Sequence, residues 1–411
     1  LAHLRHHLRS GDWLTPARIR AYCWILLALV SAAMGVWAAT ADGLLDRNGK
    51  PLGTDFAAVY AAGTLLLNGA GASAYDPAAL HAAERALAGG RAVDFTGWHY
   101  PPLFFAVAGT LARLPYGWAL LLYQAATLAA FLAVIRGIVP APRRLRDVLL
   151  VAAAFPAVWI NVGHGQNGLL TAALLGGALL CLPQRPFLAG VLVALLAYKP
   201  QFAILVPLAL LAGGHWRTLL AASVTLAIAV LVSVIADGAA LWQAFFASTD
   251  FTRQVVLEQG ATGWEKIQSV FAAARMFGAG LPLAYALQGI VAALVATAIA
   301  WLWRSEAAGA LKASALASAS LLATPYVLDY DFVVLGLAIA FCVRHGLAHG
   351  FRPYEKSVLA LGFAAPLAAR GIAAATGVPL GLIAVTLLLA IVLRRAIDDG
   401  ARVGVPRLAT T

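Results

Sequence analysis

Apolar runs of bilayer-crossing length recur along nearly the whole chain, from residues 21–40 to residues 377–393, and this feature alone excludes most folds. A water-soluble domain is about 45–50% apolar and about 25% charged. This chain of 411 residues is 62% hydrophobic and 11% charged. Inside hydrocarbon every backbone donor and acceptor must pair within the protein, which leaves helices and closed barrels. The runs lack the alternating pattern of a barrel strand, so the expected fold is an all-α, polytopic transmembrane helical bundle.

About twelve crossings are expected, over residues 21–40, 117–138, 148–160, 169–182, 187–197, 202–211, 216–236, 283–303, 311–323, 332–343, 357–369 and 377–393. Several fall short of the roughly 20 residues a crossing needs and are expected to extend into flanking polar motifs. The first run is long enough to remain as an anchor rather than a cleaved signal. Cys23, Cys181 and Cys342 lie far apart within apolar runs and read as small core residues, neither a disulfide framework nor a metal cluster.

Charge sets the expected orientation. With the N-terminus in the cytoplasm and sides alternating, the inside segments hold nineteen of the 29 Lys and Arg residues, including Arg18, Arg20, Arg136, Arg143, Arg144, Arg146, Arg352, Arg395 and Arg407. The positive-inside rule then makes both tails, 1–20 and 394–411, cytoplasmic around one membrane domain spanning 21–393. The net charge of +11 is thus a topology signal, and no nucleic-acid partner is needed to explain it. Residues 100–114 are apolar, but a crossing there would put Arg143, Arg144 and Arg146 outside. They are expected to be re-entrant or to lie on the surface.

Two outside segments are long, 41–99 and 237–282. The first is expected to carry amphipathic interfacial helices at 56–67 and 77–87. In the second, Trp242, Phe245, Phe246, Phe251 and Trp264 stand among polar residues, as at a headgroup boundary.

The same threading places the unusual polar clusters on the outer face: Thr54-Asp55, Trp98-His99-Tyr100-Pro101-Pro102, His164-Gly165-Gln166-Asn167, Tyr198-Lys199-Pro200-Gln201 and Tyr326-Val327-Leu328-Asp329-Tyr330-Asp331. Polar groups at membrane depth are costly and usually functional. Each cluster has a plainer reading. Asp55 suits a helix N-terminus, Lys199 has no acid nearby in sequence and can snorkel, and His164, Gln166 and Asn167 can cap helices. Asp329 and Asp331 resemble a divalent-metal DxD pair, yet a metal needs more oxygen ligands than two. No metal site is expected. Tyr100, Tyr326 and Tyr330 suit a sugar face or an interfacial anchor.

In order along the chain, Asp55-Phe56-Ala57-Ala58-Val59-Tyr60, Ala74-Tyr75-Asp76-Pro77, Tyr100-Pro101-Pro102, Gly165-Gln166-Asn167-Gly168, Arg185-Pro186, Lys199-Pro200-Gln201 and Thr324-Pro325-Tyr326 resemble the motifs of glycosyltransferase family 87. These are polytopic enzymes of the GT-C type. The resemblance implies a polyprenyl-phosphate sugar donor such as the mannose form, inversion at the anomeric carbon, and a catalytic carboxylate in the first outside loop, where Asp55 matches. Mannosyltransferases of one branch of the family, the actinobacterial one, carry histidines in the loop where this chain has Asp329, Tyr330 and Asp331.

Inverting transfer needs a general base for the acceptor hydroxyl, and Asp55 is the candidate. The phosphate leaving group gains from a fixed cation and hydrogen-bond donors, for which Lys199, His164 and Gln166 are the candidates. Asn167, His99, Tyr100, Gln201, Tyr326, Asp329, Tyr330 and Asp331 are candidate sugar or acceptor contacts. The expected partners are the lipid-phosphate donor, a glycolipid or polysaccharide acceptor and membrane lipids, with no cofactor. The expected place is the inner membrane, with the site facing the periplasm or cell exterior. The alternatives are a secondary transporter or lipid-linked-sugar flippase, which often shows paired halves not found here, and a non-catalytic assembly partner.

Overall fold

The computed structural model of the protein describes residues 2–139 and 145–403. Arg143, Arg144 and Arg407 of the charge pattern, and the end of the C-terminal tail, lie outside the described residues. The chain is helical, in the order α1 Ala2–Ser10, α2 Pro16–Ala39, α3 Thr54–Leu67, α4 Pro77–Leu87, α5 Phe105–Leu111, α6 Tyr116–Ile138, α7 Leu145–Ala154, α8 Pro156–His164, α9 Gly168–Cys181 and α10 Pro186–Leu195. It continues with α11 Val206–Ala212, α12 Trp216–Asp237, α13 Ala239–Thr252, α14 Val270–Met276, α15 Leu281–Arg304, α16 Gly309–Ala323, α17 Val333–His349, α18 Glu355–Thr376 and α19 Leu380–Val403. Among the described residues extended pairing is confined to isolated bridges such as Ile267 with Leu328.

Among the described residues seven helices are long and apolar enough to cross a membrane: α2, α6, α12, α15, α17 with its leading turn, α18 and α19. An eighth is formed if α7 and α8, bent by 53° at Phe155-Pro156, count as one broken span. Helices of full crossing length therefore do not reach the expected twelve. The expected crossings at 169–182 and 311–323 are helices of 14 and 15 residues. The physical reason is visible in α16, whose residues are nearly all buried against α15, α17 and α19. A helix walled by protein need not match the hydrocarbon thickness, and its non-helical ends are tolerated where they line a cavity.

The helix over Thr54–Leu67 departs from the expected amphipathic surface element. It is apolar around its whole circumference and buried at Phe56, Ala57, Ala58, Val59, Ala61, Ala62 and Gly63. It packs against α5. Gly63 permits that approach, because a Cβ there would collide with the Ala108 carbonyl oxygen. By contrast α4 keeps an exposed face, with Leu80 and Glu84 turned inward. The 100–114 segment forms the short helix Pro102–Leu111, too short to cross.

Asp329–His349 comprises 21 residues. At about 1.5 Å per residue this is roughly 31 Å, close to the approximately 30 Å of a hydrocarbon core. One end of the bundle is therefore marked by Asp329 and the other by His349. At the His349 end Arg395 pairs with Glu355 at 2.9 Å and with Asp399 at 3.3 Å, and Arg352 pairs with Asp398 and Asp399. The C-terminal end of α1 reaches the same end, where the Tyr354 amide donates to the Arg9 carbonyl at 2.9 Å. Gln184 and His215 line a cleft there beside Lys312 and Arg344, so α10 rises from this end towards Lys199 and α11 returns to it. The first helix and the end of α19 thus lie at the basic end, opposite Asp329.

Candidate active site

At the Asp329 end a cavity of about 560 Å³ is lined by Asp55, His99, Tyr100, His164, Gln166, Lys199, Gln201, Tyr326, Asp329, Tyr330 and Asp331. Of the candidate residues, only Asn167 stands behind the wall. Segments far apart in sequence meet because broken helices end at the same depth.

Asp55 is the second residue of α3, where the helix N-terminus favours a carboxylate. Its Oδ2 accepts a 2.8 Å hydrogen bond from Gln166 Nε2. Thr54 Oγ1 lies 3.2 Å from Asp55 Oδ1 and 3.0 Å from His164 Nδ1, and His164 Nδ1 is 3.9 Å from Asp55 Oδ1. The carboxylate is 21% exposed and opens onto the cavity, so it is oriented without being sealed off.

The break between α8 and α9 supplies its partners. Gly165 takes φ +65°, and a Cβ there would lie 2.6 Å from Phe56 Cβ, so both its conformation and its closeness to α3 require glycine. That turn brings Gln166 to Asp55. Gln166 Oε1 accepts from the Tyr100 hydroxyl at 3.2 Å and from the Asn167 amide at 3.0 Å. Its amide group is thereby fixed with the nitrogen towards Asp55.

Lys199, expected as a cation without an acid, has one. It lies in the non-helical link before Pro200, 5% exposed, and donates to Asp331 Oδ1 at 2.6 Å and to Asn167 Oδ1 at 2.9 Å. The Asp331 partner is remote in sequence, which is why local reading missed it. The second Asp331 oxygen accepts from the Leu328 amide at 3.1 Å. A continuous polar chain runs from Asp55 through Gln166, Asn167 and Lys199 to Asp331. Tyr330 packs edge-on to His164, with ring centroids 5.7 Å apart, and Asp329 Oδ1 accepts from the Tyr330 amide at 2.9 Å.

His99 Nδ1 lies 2.8 Å from Thr252 Oγ1 at the end of α13. Burial pushes its pKa down to about 4, with Asp55 opposing, so the imidazole is neutral near pH 7 and acts as a hydrogen-bonding group. Tyr100 is pushed up by burial and remains a phenol donor. No group of three or more His, Cys, Asp or Glu residues among the described residues is arranged to hold a metal ion.

Several lining residues were not singled out from sequence: Lys50, Asp94, Thr252, Lys266 and Arg370. Lys50, Lys266 and Arg370 are among the nine Lys and Arg residues that the charge threading leaves in outside segments. Their signal was a cation beside an apolar helix on the face that gathers the polar motifs.

Glu84 supports the wall segment 94–97 from beneath. It is 2% exposed, and its oxygens lie 3.3 and 3.4 Å from the Thr96 amide. Burial pushes its pKa from 4.5 up to about 7, against the lowering effect of the Thr96 amide. The folded state then holds a proton that the unfolded chain releases above about pH 4.5. Stability should fall as pH rises from about 4.5 to 7 and level off beyond. In Glu84→Gln this contribution should vanish, flattening that part of the profile of thermal unfolding against pH. An unchanged slope would show that Glu84 is ionised throughout.

The sequence model of glycosyltransferase family 87 matches residues 98–325. No curated protein and no solved structure matches the chain. The matched stretch includes His99, Tyr100, His164, Gln166, Lys199 and Gln201. Asp55, Asp329, Asp331 and Arg370 lie outside it, and the fold brings them to the same cavity. With more than half of the chain covered and a helical membrane architecture around that cavity, the protein belongs to glycosyltransferase family 87 and is a membrane glycosyltransferase.

Proposed function

We propose that the protein transfers a hexose, mannose foremost, from a polyprenyl-phosphate sugar to a glycolipid or polysaccharide acceptor, with inversion. The observation that carries this reading is the Asp55 carboxylate, held by Gln166 at 2.8 Å and opening onto a cavity of about 560 Å³. Asp55 takes the acceptor hydroxyl proton as that oxygen attacks the anomeric carbon. The bond from that carbon to the phosphate oxygen breaks, and its electron pair leaves with the polyprenyl phosphate. A phosphate monoester dianion is a stable leaving group and needs no proton donor, only positive charge and hydrogen-bond donors. His99, Tyr100, Gln201, Tyr326 and Tyr330 offer polar and aromatic contacts to the sugar and acceptor.

Orientation follows from charge. The basic end with Arg352 and Arg395 is read as cytoplasmic by the positive-inside rule, which puts the cavity on the periplasmic or exterior face of the inner membrane. The donor is a substrate, and the transfer is proposed to be metal-independent, since both Asp331 oxygens are engaged by Lys199 and the Leu328 amide.

The test is direct. Purified protein in nanodiscs is given polyprenyl-phosphate mannose, with glucose and galactose forms as comparisons, and a panel of glycolipid acceptors. Inverted product is expected, undiminished by EDTA. Loss on chelation with recovery on adding magnesium or manganese would overturn the metal-free assignment. No turnover of any polyprenyl-phosphate sugar would overturn the donor and favour a transporter.

A further inference from the structure

We propose that the donor's phosphate is held by Arg370 together with Lys266, and that Lys199 is a positioning residue whose charge is already spent within the protein. The inference rests on the polyprenyl-phosphate reading above and names the cations of that site.

Lys199 presents little net charge to a ligand. Its ammonium has a carboxylate at 2.6 Å and an amide oxygen at 2.9 Å, and the two side chains of the ion pair are 6% and 1% exposed. A buried, paired charge satisfies its partner first, and drawing it to a phosphate would strand Asp331. What Lys199 does instead is grip Asn167. The backbone N–H of the residue so held donates to Gln166 Oε1, and Gln166 Nε2 orients Asp55.

Arg370 is in the opposite state. It lines the same cavity, its side chain is 45% exposed, and its one carboxylate neighbour among the described residues, Asp329, is 4.0 Å away. Guanidinium carries five N–H donors in a planar fork that matches phosphate oxygens, so most of that capacity remains open. Lys266 joins it on the cavity wall, next to Ile267, which bridges to Leu328. Position adds a second argument. Arg370 stands on the exposed face of α18, one turn after Leu367, which is 62% exposed. A ligand with a phosphate on a long hydrocarbon tail needs a cation where a polar cavity meets an apolar outer surface. Arg370 occupies that boundary, whereas Lys199 lies at the cavity's inner wall.

The experiment measures equilibrium binding of polyprenyl phosphate to the purified full chain in nanodiscs, with polyprenol of equal length as the uncharged control. Arg370→Gln is expected to weaken the phosphate lipid at least tenfold while leaving polyprenol binding and thermal stability unchanged. Arg370→Lys should recover part of the loss, Lys266→Gln should weaken binding by less, and Lys199→Gln should chiefly lower stability and turnover. Wild-type affinity in both Arg370→Gln and Lys266→Gln would overturn the inference. If Lys199→Gln, still folded, were then the variant that lost affinity, the phosphate would belong at Lys199 and the donor reading would stand. Equal loss of polyprenol and polyprenyl phosphate in Arg370→Gln would also overturn it, by showing a structural role. A wild type that binds both lipids equally would bring down the donor reading and this inference with it.

Discussion

Asp55→Asn is expected to cut turnover of a polyprenyl-phosphate sugar by about 10²–10⁴-fold, the usual cost of a lost general base, while the protein stays folded and inserted. Asparagine keeps the size of the side chain, and its oxygen still accepts from Gln166 Nε2, so the packing of α3 against the α8–α9 turn is retained. What it loses is the ability to take a proton. Because the phosphate does not contact Asp55 in this scheme, donor KM should change little and the loss should fall on kcat. Single-turnover rates with saturating donor make the comparison. Turnover within a few-fold of wild type would remove Asp55 from the chemistry.

The second large effect is on stability. Asp331→Ala removes the only carboxylate among the described residues that Lys199 touches and leaves its ammonium buried, a change that typically costs about 3–5 kcal/mol. It also frees the Leu328 amide that Asp331 Oδ2 accepts from. The double variant Lys199→Met with Asp331→Ala should recover much of the loss, since no isolated charge remains. Thermal unfolding in detergent measures both. Equal stability of Asp331→Ala and the wild type would mean that the ammonium finds water or another partner, and the ion pair would count for little.

Much of this site was legible residue by residue. Asp55, His164, Gln166 and Lys199 stood out because polar groups beside glycine or proline interrupt apolar helices, and such interruptions are tolerated only where they line a cavity. Partnership was not legible. Lys199 and Asp331 are separated by 132 residues, and nothing local to either signals the other. Arg370 was hidden for a different reason, since a cation at the outer end of a helix serves equally well as a topology marker. Span length was less legible than span position, because hydropathy counts apolar length without distinguishing lipid from protein as the neighbour. In α16 the neighbour is protein. The burial of α3 left a trace in the sequence, in an apolar run with no polar face from Phe56 to Gly63, which a helix lying on a membrane surface would not have.

The 132-residue separation of Lys199 from Asp331 also bears on biogenesis. At about 5–20 residues per second, synthesis of that interval takes roughly 7–26 seconds. Throughout that time the ribosome has delivered the ammonium and not its carboxylate. The nascent chain must shelter Lys199 in headgroups or in the insertion machinery, and the polar chain beside the cavity closes only when Asp331 arrives. Fragments ending before Asp331 should therefore be recognised as unfinished and degraded, with one charge at membrane depth as the mark of incompleteness.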